Sequence, residues 1–155
     1  MARRWGVGLE EAGRRLRYEV FDLAAEKAGA ALIATAHHAD DQAETVLLNL
    51  LRGTGAEGLA GIPPVRGKIV RPLLETSRRE IERYLERNGL PHVEDETNED
   101  LTLGRNRLRR EIMPGLRQVH PGAEENICRT AQLLRRENEY LDALAAAYLP
   151  EEGTS

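Results

Sequence analysis

The fold is decided between residues 31 and 44, where the sequence reads ALIATAHHADDQAE. Residues 31–36 are small, apolar or β-branched, which predicts a short strand buried on both faces, as in a parallel sheet. A helix is predicted to follow, because Asp40 and Asp41 favour the positive end of a helix dipole and the largely apolar run 46–51 supplies the helix body. The carboxyl end of the strand, where open α/β sheets place their ligands, therefore carries a polar cluster.

Helices are also predicted on both sides of this stretch. Apolar residues at helical spacing predict an amphipathic helix over residues 9–28, which Gly29 ends. A capping box at Ser77 and Glu80 predicts a second helix, which runs to about residue 88. The last helix is predicted over roughly residues 123–148. The core faces of these last two helices are expected to carry Ile81, Tyr84 and Leu85, and then Ile127, Leu134, Leu141 and Tyr148.

Between these helices the sequence is broken by glycine and proline. Residues 52–67 contain five glycines and two consecutive prolines, a composition that predicts a loop without a helix. Residues 69–74 form a weaker strand candidate, because Pro72 cannot donate a hydrogen bond to a ladder. The order of helix, strand and helix predicts the α/β class, with a partial Rossmann-like parallel sheet and a helical C-terminal extension.

Length and composition indicate one globular domain that does not enter a membrane. A chain of 155 residues with 41% apolar residues can build a core. The apolar stretch at 30–36 is far shorter than the roughly 20 residues needed to cross a bilayer, and no secretory signal follows the basic N-terminus. We therefore expect a cytoplasmic protein without a membrane partner. The single cysteine, Cys128, excludes an internal disulfide and is expected to be a buried helical thiol.

The charges of the chain support two opposite expectations about binding to nucleic acid. A net charge of −4 argues against a nucleic-acid partner, because binding to phosphates depends on displacement of counterions by basic residues. However, only Lys27 and Lys68 are lysines, and the arginines that make up the rest suit bidentate phosphate contacts. Four arginines lie close together, at positions 105, 107, 109 and 110, which is enough to bind phosphate or an RNA backbone. The alternative is a solvated helix face that pairs with the acidic loop 94–100.

The polar cluster after the predicted strand suits a cation or an amine. On a helix, His37 and Asp41 would share a face, as would Asp41 and Glu44, because residues three and four apart are neighbours. His37 could donate to a phosphate or move a proton. The plainer alternative is that Asp40 and Asp41 cap the helix and that one histidine lies on the surface. A metal site is a further alternative, but adjacent histidines at a strand end point to opposite sides, so the two are not expected to bind one ion and no metal ligand is assigned. In the acidic loop, Asp95 could orient a ligand or serve as an ordinary turn residue.

Taken together, these segments resemble the tRNA(Ile)-lysidine synthetase family. The similarity covers nearly the whole chain, from about residue 8 to residue 148, and its motifs occur in the order that the family has. The matching motifs are IATAHHADDQAET at 33–45, LRGTG at 51–55, GLAGIPP at 58–64, RPLL at 71–74, REI at 79–81, EDETN at 94–98 and RNRLR at 105–109.

The resemblance implies an N-type ATP pyrophosphatase of the adenine nucleotide alpha hydrolase-like fold. Members of this family use ATP and Mg²⁺ to adenylate the 2-carbonyl oxygen of the wobble cytidine of tRNA(Ile) with a CAU anticodon. L-lysine then displaces AMP to give lysidine, and members often form homodimers. The expected division is residues 1–103 as the C-terminal part of the catalytic domain, 104–149 as a helical extension or linker, and 150–155 as a disordered tail.

The same resemblance implies roles for individual residues. His37 and Asp41 would lie beside the reacting phosphate and cytidine, and either would accept the proton that the lysine amine loses before it attacks. Arg109 would stabilise negative charge that develops on the phosphate. These three are the catalytic candidates. The substrate-binding candidates are Arg105 and Arg107 near the phosphate, and Glu44 and Asp95 at the cationic lysine.

The chain departs from the family at its beginning. Full members begin with a strand and a Ser-Gly-Gly-x-Asp-Ser loop whose backbone amides cradle ATP phosphates, and no such loop precedes Ala31. Domains that follow the last helix in many members are missing as well. We therefore expect a fragment that alone neither adenylates tRNA nor binds ATP well.

Three other interpretations fit parts of the sequence. A related ATP-dependent tRNA thiolation enzyme shares the ATP chemistry, although the lack of a Cys-x-x-Cys pair argues against sulfur transfer. A non-catalytic RNA-binding fragment would use the arginines alone. A truncated product that folds poorly is the third, because a sheet without its first strand exposes an unpaired edge.

Overall fold

The computed structural model describes residues 9–92 and 103–148, which form helices around a small mixed sheet. No helix in these two ranges is both long and apolar enough to cross a membrane. The elements in chain order are α1 (Leu9–Ala28), β1 (Ile33–Ala34), α2 (Ala39–Leu51), α3 (Ala56–Leu59), β2 (Val65–Arg66), β3 (Ile69–Val70), α4 (Arg78–Arg87), α5 (Leu103–Arg107), a π-helix (Leu108–Ile112), α6 (Met113–Val119) and α7 (Ala123–Tyr148).

The sheet confirms the α/β class but is smaller than the sequence predicted, and it is mixed. Strands follow the order β1-β3-β2, with β1 parallel to β3 and β2 antiparallel to it. The antiparallel pair arises because only two residues join β2 to β3, and the first of them, Gly67, has a φ of +58°. The predicted parallel pairing is confirmed for β1 and β3, and the hairpin adds an antiparallel strand that the sequence did not predict.

The strand predicted over residues 31–36 is limited to two residues and is not buried on both faces. Ile33 is half-buried, Ala34 is exposed, and the Leu32 side chain is 58% exposed. In the described part of the chain β1 pairs with β3 alone, so its other edge lacks a neighbouring strand. Strand β3 is likewise shorter than the strand predicted over 69–74, because a turn begins directly after Val70.

The predicted helices form with the expected bounds, although some of their faces differ. The capping box of α4 is present, since the Ser77 amide donates to Glu80 Oε2 over 2.8 Å and the Glu80 amide donates to Ser77 Oγ over 3.3 Å. Tyr84, which was expected in the core, is 63% exposed. In α7, Leu141 and Tyr148 are 60% and 85% exposed, because only the first half of that helix packs on its neighbours.

The glycine- and proline-rich stretch 52–67 was predicted to lack a helix, and that prediction was wrong for one turn. Helix α3 forms there, and it packs between α2 and α7. The core of the molecule lies where α2 packs against α7, with α5 against α2 and α6 against α7. The arginine-bearing segment therefore lies beside the first turn of α2. The buried apolar residues of the core include Ala43, Val46, Leu108, Met113 and Ala131.

Candidate active site

The first turn of α2 is held by its two aspartates. Asp41 Oδ2 accepts a hydrogen bond of 3.1 Å from the backbone amide of His38, which fixes the start of its own helix. Asp40 Oδ1 accepts one of 2.9 Å from the amide of Arg78, the first residue of α4. Both aspartates therefore satisfy backbone donors at helix N-termini, as the plainer alternative proposed, and Asp40 also ties two helices together.

Glu44 is the buried centre of the polar cluster. Its side chain is 2% exposed, and Arg109 meets it with two hydrogen bonds, from Nε to Oε1 over 2.6 Å and from Nη2 to Oε2 over 3.0 Å. Arg105 adds a second positive charge, with its Nε 3.9 Å from Glu44 Oε2 and its Nη2 donating to Thr45 Oγ1 over 3.0 Å. A buried carboxylate is tolerated only when it is paired in this way.

Arg109 also faces Asp41, so one guanidinium lies between two carboxylates. The distance from Arg109 Nη2 to Asp41 Oδ1 is 3.5 Å. The hydrogen bond to Glu44 raises the pKa of Arg109 above its usual value, against the opposing effect of burial, and the charges of Glu44 and Asp41 add to the increase. Arg109 is therefore a permanent cation, fixed on one side by Glu44 and 42% exposed on the other.

Arg105, Arg109 and Arg117 share one face because the helix that carries them is interrupted by a π-turn. The residues at 105, 109, 113 and 117 recur every four positions, whereas an α-helix has 3.6 residues per turn, so such a row drifts around the axis. A wider π-turn over Leu108–Ile112 takes up that drift. Pro114, at the start of α6, favours the interruption, because its ring clashes with the carbonyl four residues earlier and it cannot donate a backbone hydrogen bond.

A surface cavity of about 210 Å³ opens beside this cluster. We call it the first cavity. On its far side Arg117 Nε donates to Glu124 Oε1 over 2.6 Å, which links α6 to α7. The opening is therefore lined by both acidic and basic side chains, and it is large enough for a small polar ligand. The lining residues are His38, Asp40, Glu44, Arg78, Arg109, Met113, Arg117 and Glu124.

The structure brings together Asp41, Glu44, Arg105 and Arg109 of the residues that the sequence singled out. Arg107 does not join them, because it is 70% exposed and pairs with Glu111 one turn further along. Asp95 lies outside the described residues.

The two histidines lie in different surroundings. His37 is partly buried, with its Nδ1 3.0 Å from Thr35 Oγ1. His38 lines the first cavity, and its Nε2 is 3.5 Å from Asp41 Oδ2. His38, which was not among the site residues predicted from the sequence, is therefore the histidine that lines the cavity.

Sequence reasoning also missed Met113 and Arg117, although the four-residue spacing that continues from Arg105 was a usable signal for both. Arg78 and Glu124 carried no such signal, since they come from helices that only the fold brings to the cavity. In residues 9–92 and 103–148 no three or more His, Cys, Asp and Glu residues are grouped so as to hold a metal ion.

Comparison with known proteins gives consistent results. The family model described as the PP-loop domain, an ATP-binding family, matches residues 2–116. The tRNA(Ile)-lysidine synthase of Geobacter sulfurreducens is 49% identical over 140 residues, which cover 89% of this chain and 30% of that protein. The enzyme of the same name from Deinococcus deserti is 48% identical over 150 residues, which cover 97% of this chain and 28% of that protein. The chain thus spans about 30% of the length of these curated relatives.

The fold also occurs among solved structures. The U34-tRNA thiolase NcsA from Methanococcus maripaludis, determined with its iron–sulfur cluster, superposes with a TM-score of 0.60 over 77% of this chain and 42% of its own. At 20% sequence identity this likeness concerns the fold, which is that of the adenine nucleotide alpha hydrolases.

Proposed function

Because the chain belongs to the PP-loop domain family, we propose that it forms part of an ATP-dependent ligase that transfers L-lysine to the wobble cytidine of tRNA(Ile) with a CAU anticodon. ATP would adenylate the 2-carbonyl oxygen of that cytidine with release of pyrophosphate. The lysine amine would then lose a proton and displace AMP. The relatives that are 44–49% identical carry the name of this activity, which supports the proposal. Cytoplasmic location and pairing of two copies remain predictions from the sequence.

The observation that carries the proposal is the placement of Arg109. Transfer of an adenylyl group builds negative charge on the α-phosphate, and a fixed cation aimed at that charge lowers the barrier without reorganising during the reaction. Arg109 is fixed by the 2.6 Å and 3.0 Å hydrogen bonds to Glu44, while the rest of its guanidinium lines the first cavity. Arg105, behind it, would add a second positive charge to the phosphate site.

Glu44 is better assigned to positioning than to lysine. Both of its oxygens accept hydrogen bonds from Arg109, and its side chain is 2% exposed, so little of the carboxylate remains for an incoming ammonium. The lysine amine would instead meet Asp40 or Asp41, which are 25% and 20% exposed. Asp95 stays a candidate from the sequence for the same ammonium.

Proton transfer from the amine would fall to the first turn of α2. Asp41 uses Oδ2 to cap the helix, while its Oδ1 stands 3.5 Å from Arg109 Nη2. A phosphate bound by Arg109 would therefore bring the attacking amine near this oxygen, which would accept its proton. His37 was predicted for this step, and it stays an alternative. His38 is a third candidate, because it lines the cavity itself.

The remaining groups would bind the larger substrates. Arg107 pairs with Glu111 on the surface, and such exposed pairs exchange readily with phosphates of a nucleic acid. Mg²⁺ would arrive with ATP and be held mainly by its phosphates.

The proposal is tested by incorporation of radiolabelled lysine into tRNA(Ile), with a protein of the relatives' length that contains this sequence. Asp41→Asn is the informative variant, because asparagine also caps a helix but cannot accept the proton. Asp22→Asn, at an exposed position of α1, is the matched control. We expect labelled tRNA with the parent and the control, and a loss of about 100-fold or more with Asp41→Asn.

Two results would contradict the proposal. Labelling of tRNA with sulfur instead of lysine would favour the thiolation alternative. Binding of tRNA without any ATP consumption, equally strong in the parent and Asp41→Asn, would favour a non-catalytic RNA-binding module.

A further inference from the structure

A second cavity, of about 140 Å³, lies on the other side of α2. Gln42 lines it, whereas Asp40 and Glu44 line the first cavity. Because Gln42 is two residues from each of them, and one residue of an α-helix turns about a quarter of the way round the axis, its side chain leaves the helix on the opposite side. The second cavity is therefore separate from the candidate active site. Its polar lining residues are Gln42, Arg71, Glu75, Cys128, Gln132 and Arg135.

Arg71 places an uncompensated positive charge in the wall of this cavity. The residue is only 5% exposed, yet no carboxylate of residues 9–92 or 103–148 forms an ion pair with it. Its Nη1 donates to the carbonyl of Pro63 over 2.6 Å, whereas its Nε is buried and has no hydrogen-bond partner among those residues. Burial of a guanidinium is costly unless each donor is satisfied and the charge is balanced.

Arg135 brings a second guanidinium to the same cavity. Its Nη2 donates to the carbonyls of Ala60 and Ile62, over 2.6 Å and 2.7 Å. Burial lowers the pKa of Arg135, and the charges of Glu139 and Glu75 oppose that decrease. An anion bound in the cavity would therefore be stabilised by the positive charges of both Arg71 and Arg135.

The protein's own groups in the cavity do not supply that partner. Glu75 is the single carboxylate in the lining, and its Oε1 already accepts a hydrogen bond of 2.9 Å from Gln132 Nε2. The thiol of Cys128 stays neutral at physiological pH, because burial raises its pKa to about 11. Two guanidinium groups thus face one engaged carboxylate, and the lining carries a net positive charge.

We propose that the second cavity binds a small free oxyanion, a carboxylate or a phosphate, held by the guanidinium groups of Arg71 and Arg135 that line it. A nucleic-acid phosphate is a poorer candidate, because it carries a ribose on each side. The cavity has a volume of only about 140 Å³, and Arg71 in its wall is only 5% exposed. Arg71 and Arg135, with Gln42, donate hydrogen bonds to the carbonyls of residues 60, 62 and 63, so the anion would also stabilise that turn.

The test is thermal unfolding of the chain at constant ionic strength, with sodium chloride replaced stepwise by sodium phosphate or sodium acetate. A ligand that binds only the folded state raises the Tm in a saturable way. We expect such a rise with one of the two anions and none with chloride alone. Saturation by phosphate but not acetate would identify a phosphate site, and the reverse would identify a carboxylate site.

Variants decide where the anion binds. Arg109→Gln should keep the rise, because Arg109 lines the first cavity. Gln132→Glu should abolish it, since the new carboxylate would occupy the second cavity. Arg71→Lys should weaken binding about tenfold or more, because lysine lacks the planar guanidinium that suits an oxyanion. If Arg71→Lys does not fold, Gln132→Glu decides alone. No saturable rise with either anion, a rise that survives Gln132→Glu, or a rise that only Arg109→Gln removes would each overturn the proposal. None of these readouts depends on lysine transfer, so the two proposals fail independently.

Discussion

Arg109 and Arg107 lie two residues apart on one helical segment and have opposite surroundings. Arg109 crosses to α2 and makes two hydrogen bonds to Glu44, a carboxylate that is 2% exposed. Arg107 makes one to Glu111, four residues ahead on the same segment, and both of those side chains are more than 60% exposed. Two identical side chains in one cluster therefore form different interactions, and of the two only Arg109 joins its own segment to α2. The partner's burial, rather than the number of arginines, distinguishes a site from a solvated surface.

The largest expected effect is on catalysis. Arg109→Gln, in a protein of the relatives' length, should lower the rate of lysine incorporation about 100-fold or more, because loss of one fixed donor to a developing anion has that effect. Arg107→Gln is the matched comparison: at saturating tRNA it should change the rate less than about threefold, because an exposed arginine would affect tRNA binding and not the reacting phosphate. Equal losses in the two variants would remove the distinction between the two arginines.

The next effect is on stability. Glu44→Gln should lower the free energy of unfolding by about 2–3 kcal/mol, somewhat below the usual value for a broken buried ion pair because Arg109 is 42% exposed. Glu111→Gln, the control, should lower it by less than about 0.5 kcal/mol. Urea denaturation of both variants measures the difference. A Glu44→Gln protein as stable as the parent would show that the buried carboxylate does not hold the site together.

A smaller effect is expected at Cys128, which reports on the first turn of α2. Its thiol donates to the Ala39 carbonyl over 3.3 Å, and burial raises its pKa from 9.0 to about 11. The stabilisation from this protonated thiol is complete below about pH 9 and is lost as the pH rises through about 11. At pH 8 alkylation should be slow in the parent and in Glu111→Gln, and several-fold faster in Glu44→Gln, where α2 loses its anchor. Mass spectrometry of the alkylated thiol gives the rates, and identical rates in all three proteins would contradict the expectation.

The position of the site was predictable from the sequence because it follows from a general rule. Polar residues directly after a strand lie at the sheet edge where ligands bind, and His38 to Glu44 do so here. The helices were also predictable, since capping at Ser77 and apolar periodicity in α7 are local signals.

Other features depend on tertiary neighbours and could not be predicted. The extent of β1 depends on what covers Leu32, and the exposure of Tyr84 depends on what packs against α4. The separation of Arg107 from Arg109 depends on Glu44, sixty-five residues from Arg109 in the chain. The second cavity was missed for the same reason, because Arg71 and Arg135 each look like ordinary surface arginines in the sequence.

The difference between the buried and the exposed ion pair is tested most directly by a double-mutant cycle between Glu44 and Arg109, measured as free energies of unfolding in urea. The cycle uses Glu44→Gln, Arg109→Gln and the double variant, with the Glu111 and Arg107 cycle alongside as the exposed pair. We expect a coupling of at least about 1.5 kcal/mol for the first pair and about 0.3–0.5 kcal/mol for the second. Equal couplings in the two cycles would contradict the claim that α2 and the arginine-bearing segment form a single site.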